Sequence, residues 1–234
     1  MFLAIDTSSD SAGLALTSEN SILAEQTWLC GRNHTVELLP HLERFLKQTG
    51  RGIKDIRGII VATGPGSFNG LRVGLGTAKG LAFSLDIPIA GIGTLEAATY
   101  QFAPCGLPVC AIFSAGRGEI SYAVYQRKDG GWQCLAPPSL SSIPELLSRI
   151  NEKTLFCGEP TPAMLDEIRA GLGDKAVIPA PFDLARHPVF LAALGMKRII
   201  GGDINDPATI QPIYLRGAHI SQPKSRSAGA QSQA

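Results

Sequence analysis

The chain has 234 residues, of which 44% are hydrophobic and 18% are charged, and its net charge at pH 7 is +1. This balance excludes a disordered chain, and no apolar run approaches the roughly 20 residues that a membrane-spanning helix needs. Proteins that bind nucleic acid on their own usually carry a basic excess, so the net charge argues against autonomous nucleic-acid binding. The N-terminus lacks the basic region of a signal peptide, and the expected location is the cytoplasm.

Strand and helix patterns alternate through the first hundred residues. The predicted elements are strands at 2–5, 12–17, 21–29, 59–62 and 87–92 and helices at about 36–48, 69–85 and 95–100. The first three strands are joined by short polar turns, which is typical of an antiparallel meander. The strand 59–62 is apolar throughout, as buried strands are. The whole order implies an α/β fold with a mixed sheet covered by helices.

The strand–polar turn–strand pattern begins again in the second half. Strands are predicted at 109–113 and 120–126, and helices near 143–151, 164–170 and 184–200. The repetition favours two related lobes, residues 1–105 and residues 106–220. Residues 221–234 are rich in Ser, Gln and Ala and are expected to be a disordered tail.

Two polar turns between strands are candidates for contact with an anion. Asp6, Thr7 and Ser8 lie at the first turn, where a carboxylate and hydroxyls can hold a phosphate or a metal-bound water. The alternative is an Asx-turn, in which Asp6 only satisfies local amides. Arg117 lies at the second turn, but Ser114 occupies the place where phosphoryl transfer would need a second carboxylate. The candidate nucleotide-binding residues are therefore Asp6, Thr7, Ser8 and Arg117.

The long helix after residue 68 has two apolar faces. At 100° per residue, one face carries Leu71, Leu75, Ala78, Leu81, Ala82 and Leu85 and is expected to pack on the sheet. The opposite face carries Val73, Gly76, Gly80 and Phe83, flanked by Arg72 and Lys79, although a face that meets water should be polar. Each interior glycine costs about 1 kcal/mol relative to alanine, which is tolerable where another backbone approaches. Either another helix of the same lobe or a second protein chain is expected to cover this face.

Several stretches together resemble the TsaB family, also called YeaZ. The first hundred residues match closely and the middle of the chain only loosely, and the Gly-Pro-Gly-Ser-Phe-x-Gly-Leu-Arg signature is highly specific. The matching stretches are 3–8, 34–46 with its Leu38-Leu39-Pro40, 64–72, 77–82, 95–97, 117–119 and 213–216. The resemblance implies the actin-like, sugar-kinase-like ATPase superfold, with two lobes that each contain a mixed sheet flanked by helices.

The resemblance also implies a function. A TsaB-like chain is expected to form a cytoplasmic heterodimer with its catalytic relative TsaD, which TsaE joins. That assembly transfers threonylcarbamoyl from threonylcarbamoyl-AMP to the adenosine beside the anticodon, so tRNA is expected to be bound only through the complex. First-lobe helices form the partner face in such chains, which here predicts contacts by Leu42 and by the outer face of the long helix. A homodimer is the expected alternative when TsaD is absent.

Departures from the relatives limit the chemistry expected here. The resemblance places Thr94 and Ala98 at the positions of the H-x-x-x-H metal ligands of the catalytic relative, and neither can hold a metal. Asn69 and Ser114 replace the usual threonine and aspartate of the family. The sequence therefore predicts a non-catalytic subunit with no metal and no cofactor, except for nucleotide contact at a subunit interface. The alternative is a free-standing ATPase or small-molecule kinase that uses Asp6.

Overall fold

Each half of the chain builds one five-stranded mixed sheet in the computed structural model, which describes residues 1–216. The strands are β1 (Phe2–Asp6), β2 (Ser11–Thr17), β3 (Ile22–Leu29), β4 (Gly58–Gly64), β5 (Ile89–Gly93), β6 (Val109–Gly116), β7 (Glu119–Lys128), β8 (Gly131–Ser141), β9 (Thr154–Gly158) and β10 (Ala176–Val177). The helices are α1 (His34–Gln48), α2 (Phe68–Leu85), α3 (Thr94–Tyr100), α4 (Ile143–Ser148), α5 (Pro162–Leu172) and α6 (Pro188–Ile200).

The two sheets share one topology. The first has the strand order β3-β2-β1-β4-β5, with antiparallel pairs on the β2 side of β1 and parallel pairs on the β4 side. The second has the order β10-β9-β6-β7-β8, in which β6 takes the place of β1. The predicted pair of mixed sheets flanked by helices is thereby confirmed. The turns that follow the two central strands, β1 and β6, line one common pocket.

Helix α2 packs on the first sheet through the predicted face. Leu71, Leu75, Ala78 and Ala82 are buried, and the Ser67 side chain caps the helix by accepting from the Gly70 amide at 3.3 Å. The helix ends at Asp86, which adopts a left-handed φ of 52°. Three strands of the second half, β8 to β10, are absent from the sequence prediction.

Helix α6 also belongs to the first sheet, although the predicted second lobe spans residues 106–220. Its buried side chains Leu191, Ala192 and Leu194 pack with Ala4 and Ile92 of the first sheet. Gly195 lies so close to β4 that a Cβ atom there would be 2.3 Å from Ile60 Cγ2. The chain therefore crosses back to the first lobe after residue 187, because this sheet face is apolar and needs a cover. The predicted tail, residues 221–234, lies outside the described residues.

Within residues 1–216, the helices are too short or too polar to cross a membrane.

Candidate interaction face and interlobe cleft

The first polar turn is fixed by its own hydrogen bonds. The Ser8 amide and the Ser8 hydroxyl donate to Asp6 Oδ1 at 2.9 and 2.6 Å. The Thr7 hydroxyl donates to the carbonyl oxygen of Gly70 at 2.8 Å. All three side chains are buried. The geometry is the Asx-turn that the sequence left open as an alternative to an anion site.

Arg186 holds the same turn from the opposite side. Its Nη2 lies 3.2 Å from Asp6 Oδ2, and its Nε lies 3.1 Å from Glu159 Oε1 at the end of β9. Nη1 donates to Ser8 Oγ at 3.0 Å, and the guanidinium stacks 5.3 Å above the Phe113 ring of β6. The Arg186 side chain is only 11% exposed. Arg186 therefore joins the two lobes, and both carboxylate oxygens of Asp6 are engaged within the chain.

A cleft of about 580 Å³ lies between the polar turns of the two lobes. Ser8 and Arg117, two of the four predicted nucleotide residues, lie on its wall, whereas Asp6 and Thr7 do not. Ser114, Tyr214 and Arg216 also line it. Arg216 pairs with Glu119, so the segment after α6 reaches the start of β7. The structure thus divides the predicted nucleotide residues into two that line the cleft, of which only Arg117 is exposed, and two that do not line it.

Thr94 and Ala98 lie on α3 beside the Arg186 pair. Both side chains are buried, and together with Asp6 and Arg186 they surround a small gap below the cleft. Thr94 Oγ1 has no hydrogen-bond partner among the described residues. An alanine side chain offers no metal ligand, and no group of three His, Cys, Asp or Glu side chains within residues 1–216 is placed to hold a metal ion.

The outer face of α2 stays open. Ideal Cβ atoms built at Gly76 and Gly80 have no atom of the described chain within 4 Å, and Phe83 is 60% exposed. Lys79 donates to the carbonyl oxygens of Ala208 and Ile210, so the following segment covers only that flank of the helix. The expectation that another helix of the same lobe covers this face is therefore wrong for residues 1–216.

The remaining predicted contact residues divide between surface and core. Arg72 is exposed and lies over the Phe68 ring at 5.1 Å, and Val73 is half-buried. Leu42, in contrast, is 4% exposed and packs in the first core, although it lines the same groove as Leu39. Its place on a contact surface stays a prediction. The neighbouring α1 side chains Val36 and Leu39 are exposed instead, at 69% and 58%. We define the docking face as Val36, Leu39, Arg72, Val73, Gly76, Gly80 and Phe83.

Comparison with known proteins places the chain in a family. The protein family described as "TsaD: tRNA N6-adenosine threonylcarbamoyltransferase" matches residues 25–173. The Bacillus subtilis protein named tRNA threonylcarbamoyladenosine biosynthesis protein TsaB is 33% identical over 217 residues, which are 92% of this chain and 93% of that protein. This chain belongs to the TsaB family.

The alignments with two further relatives, one named TsaB and one named as a transferase, cover about half of each of those proteins. The Escherichia coli protein of the TsaB name is 37% identical over 131 residues, 55% of this chain and 56% of that protein. The Symbiobacterium thermophilum tRNA N6-adenosine threonylcarbamoyltransferase is 26% identical over 177 residues, which are only 50% of that protein. The alignment with the transferase covers 74% of the TsaB-family chain and half of that protein.

Solved structures agree on the fold. YeaZ from Pseudomonas aeruginosa superposes with a TM-score of 0.75 at 23% identity and covers 92% of this chain and 99% of that chain. The ethanolamine utilization protein EutJ from Carboxydothermus hydrogenoformans superposes with a TM-score of 0.51 at 12% identity, over 82% of this chain and 89% of that chain. The TsaB-family chain therefore has the actin-like ATPase superfold, as predicted.

Proposed function

We propose that this chain is a non-catalytic subunit in tRNA threonylcarbamoyladenosine formation, which binds TsaD and activates it. In this proposal TsaD transfers threonylcarbamoyl from threonylcarbamoyl-AMP to the adenosine beside the anticodon, in a cytoplasmic complex that TsaE joins. One observation carries the proposal: apart from Arg72 the docking face is apolar, and its two interior helix glycines have open space beside them within residues 1–216.

The glycines favour a protein partner over solvent. Alanine at Gly76 or Gly80 would meet no neighbour in this chain and would stabilise the helix by about 1 kcal/mol each. Glycine at such positions costs stability and brings no contact inside the chain. It becomes useful when a partner's backbone or a packed side chain must come close to the helix axis. Exposed Phe83 and Leu39 can then bury apolar area in the same contact.

The polar site of the first lobe supports a role without catalysis. Asp6 is paired with Arg186 and accepts two hydrogen bonds from Ser8, so both of its carboxylate oxygens already have partners within the chain. Thr94 and Ala98 offer no metal-binding pair. Transferase chemistry in this proposal therefore takes place in TsaD, and tRNA binds through the complex.

The test is reconstitution of the modification reaction with TsaD and TsaE from the same organism. Modification of tRNA should require this chain, and the chain alone should modify no tRNA. Gly80→Leu should weaken TsaD binding by tenfold or more without unfolding the chain, whereas Gly80→Ala should add stability and change binding less. Gly131→Leu is the control, because it adds the same side chain at an exposed site on β8, far from the docking face in sequence, and it should leave TsaD binding unchanged. Wild-type binding by Gly80→Leu would show that the docking face is placed wrongly.

Two alternatives have their own measurements. ATP turnover by the purified chain that is lost in Asp6→Ala would establish a free-standing ATPase or small-molecule kinase and overturn the proposal. Nucleotide contact by Asp6, Thr7, Ser8 and Arg117 remains a prediction, to be measured by nucleotide titration of the free chain and of the complex. The docking face is also suited to pairing with a second copy, and sedimentation at several concentrations would distinguish monomer from homodimer.

A further inference from the structure

The loop between α1 and β4 concentrates positive charge that the composition of the whole chain conceals. Residues 44–57 contain one acidic side chain, Asp55, and five basic ones, Arg44, Lys47, Arg51, Lys54 and Arg57. The segment has a net charge of +4 and the chain +1, which leaves −3 for the other 220 residues. The near-zero total therefore hides one strongly basic surface, which we call the basic loop and define as Lys47, Arg51, Lys54 and Arg57.

The core anchors the basic loop and directs its cations outward. Ile56 is 3% exposed and joins the first hydrophobic core, and Ile53 packs against that core. Between them a single 3-10 turn, Ile53–Asp55, is closed by the Gly52 amide, which donates to Asp55 Oδ2 at 2.8 Å. All four cations of the loop are exposed. The isoleucines thus fix the backbone of this turn and leave the cations on the surface.

The four cations make no ion pair within the described chain. No carboxylate of residues 1–216 lies within 4.0 Å of any of the four cations. Lys47 complements the C-terminal end of α1, as cations in a last helical turn do. That effect falls off within one turn, so it does not account for Arg51, Lys54 or Arg57. Unpaired like charges on one short segment repel one another, and an anionic partner would relieve the repulsion.

The chemistry of the loop indicates which anion it fits. The aromatic side chain of the segment, Phe45, is buried, so no ring is available to stack on a base. Flexible cations without aromatic partners are typical of contacts to phosphate oxygens, which position a nucleic acid without reading its sequence. Lys47 and Arg51 line the same groove as Leu39 of the docking face. A molecule held by a docked partner would therefore pass close to the basic loop.

We propose that the basic loop binds the phosphate backbone of the RNA that the partner holds. The inference rests on the proposed function, because a chain of net charge +1 contributes too few contacts to hold RNA alone. Its role is to extend the RNA-binding surface of the complex beyond the partner. Each cation that contacts a phosphate adds about 0.9 to the slope of log affinity against log salt for a duplex, and somewhat less for a single strand.

The test compares two triple variants that remove the same charge. R51Q/K54Q/R57Q removes three of the four cations of the basic loop, and K128Q/K153Q/K175Q removes the charges of three exposed lysines of the second half. Each variant is assembled with TsaD, and tRNA affinity is measured between about 50 and 200 mM salt. The loop variant should lose about tenfold in tRNA affinity at low salt and about 2 in the salt slope. The control variant should lose less than twofold in affinity.

The outcomes separate this proposal from the previous one. Equal tRNA affinity and salt slope for the two variants would overturn the basic loop as an RNA contact and leave the subunit proposal intact. Loss of TsaD binding by the loop variant would show that the loop contacts the protein partner, and this result would also overturn the loop as an RNA contact. If the wild-type chain forms no complex with TsaD, both proposals fail together.

Discussion

Arg186 and Asp6 form a buried ion pair between residues 180 positions apart, with Nη2 of the arginine 3.2 Å from Oδ2 of the aspartate. Both side chains are about one-tenth exposed. The guanidinium also contacts Glu159, so a single side chain joins the first turn of the first lobe to the second lobe. Removal of one partner of a buried pair leaves an uncompensated charge, which is costly.

Arg186→Gln should therefore lower the free energy of unfolding by about 3 kcal/mol. Arg169→Gln is the matched control, since Arg169 pairs with Asp166 at 3.2 Å on the surface and is 58% exposed. The control should change stability by less than about 0.5 kcal/mol. Urea denaturation of both variants measures the difference. Equal effects of the two substitutions would mean that solvent already screens the Arg186 pair.

Two glycines on one helix should respond oppositely to alanine. A Cβ at Gly70 would lie 2.0 Å from the Thr7 carbonyl oxygen, whereas a Cβ at Gly76 meets nothing within 4 Å. Gly70→Ala should destabilise the chain by about 2 kcal/mol, because the turn at Thr7 must move. Gly76→Ala should stabilise it by up to about 1 kcal/mol through helix propensity. Shifts of the same sign in the urea midpoint would contradict the close contact between α2 and the turn.

The parts of this fold that depend on local periodicity were predictable. Helix α2 was expected at 69–85 and is observed at Phe68–Leu85, because its apolar face repeats with the helical period. Strand β8 was missed since Pro137 and Pro138 interrupt its pattern, which is tolerated at the edge position that this strand has. Strand β10 has two residues and leaves no pattern.

The contacts that join distant segments were not predictable. Nothing near Arg186 indicates that its partner is Asp6, because hydrophobic periodicity carries no information on which distant segments meet. The return of α6 to the first sheet was missed for the same reason. The helical wheel correctly placed Gly76 and Gly80 on the exposed side of α2. On α1, however, the sequence predicted a contact by Leu42, which is buried, and not by Leu39, which lies three residues before it and is exposed. The basic loop was overlooked because net charge averages over the whole chain.

Glu96 should make stability depend on pH. Burial raises the pKa of this carboxyl above its usual value of 4.5, and the nearby Arg198 opposes that shift only in part. The contribution to stability is thus fully present below the unfolded pKa and is lost as the pH rises through the folded pKa. Glu96→Gln should be more stable than wild type at pH 7, with a gain that disappears near pH 4.

Thermal or urea unfolding of Glu96→Gln across that pH range measures this contribution. Glu152→Gln serves as the control, because Glu152 is exposed and its side chain makes no hydrogen bond within the described residues. That control should stay within about 0.5 kcal/mol of wild type at every pH. A Glu96→Gln variant that is less stable than wild type at pH 7 would show that the ionised carboxylate has a favourable partner.

The two leucines of α1 should separate folding from partner binding. Leu42 packs with Leu38 and Phe45, so Leu42→Ala should cost about 3 kcal/mol of stability. Leu39 is 58% exposed, and Leu39→Ala should leave stability within about 0.5 kcal/mol. For binding to TsaD the order is reversed, and Leu39→Ala should have the larger effect. Truncation of a side chain that is buried in an interface costs 1 kcal/mol or more, which is about a fivefold loss of affinity. Calorimetric titration at a temperature where both variants are folded measures this. Wild-type affinity of Leu39→Ala for TsaD would place the contact surface elsewhere on the first lobe.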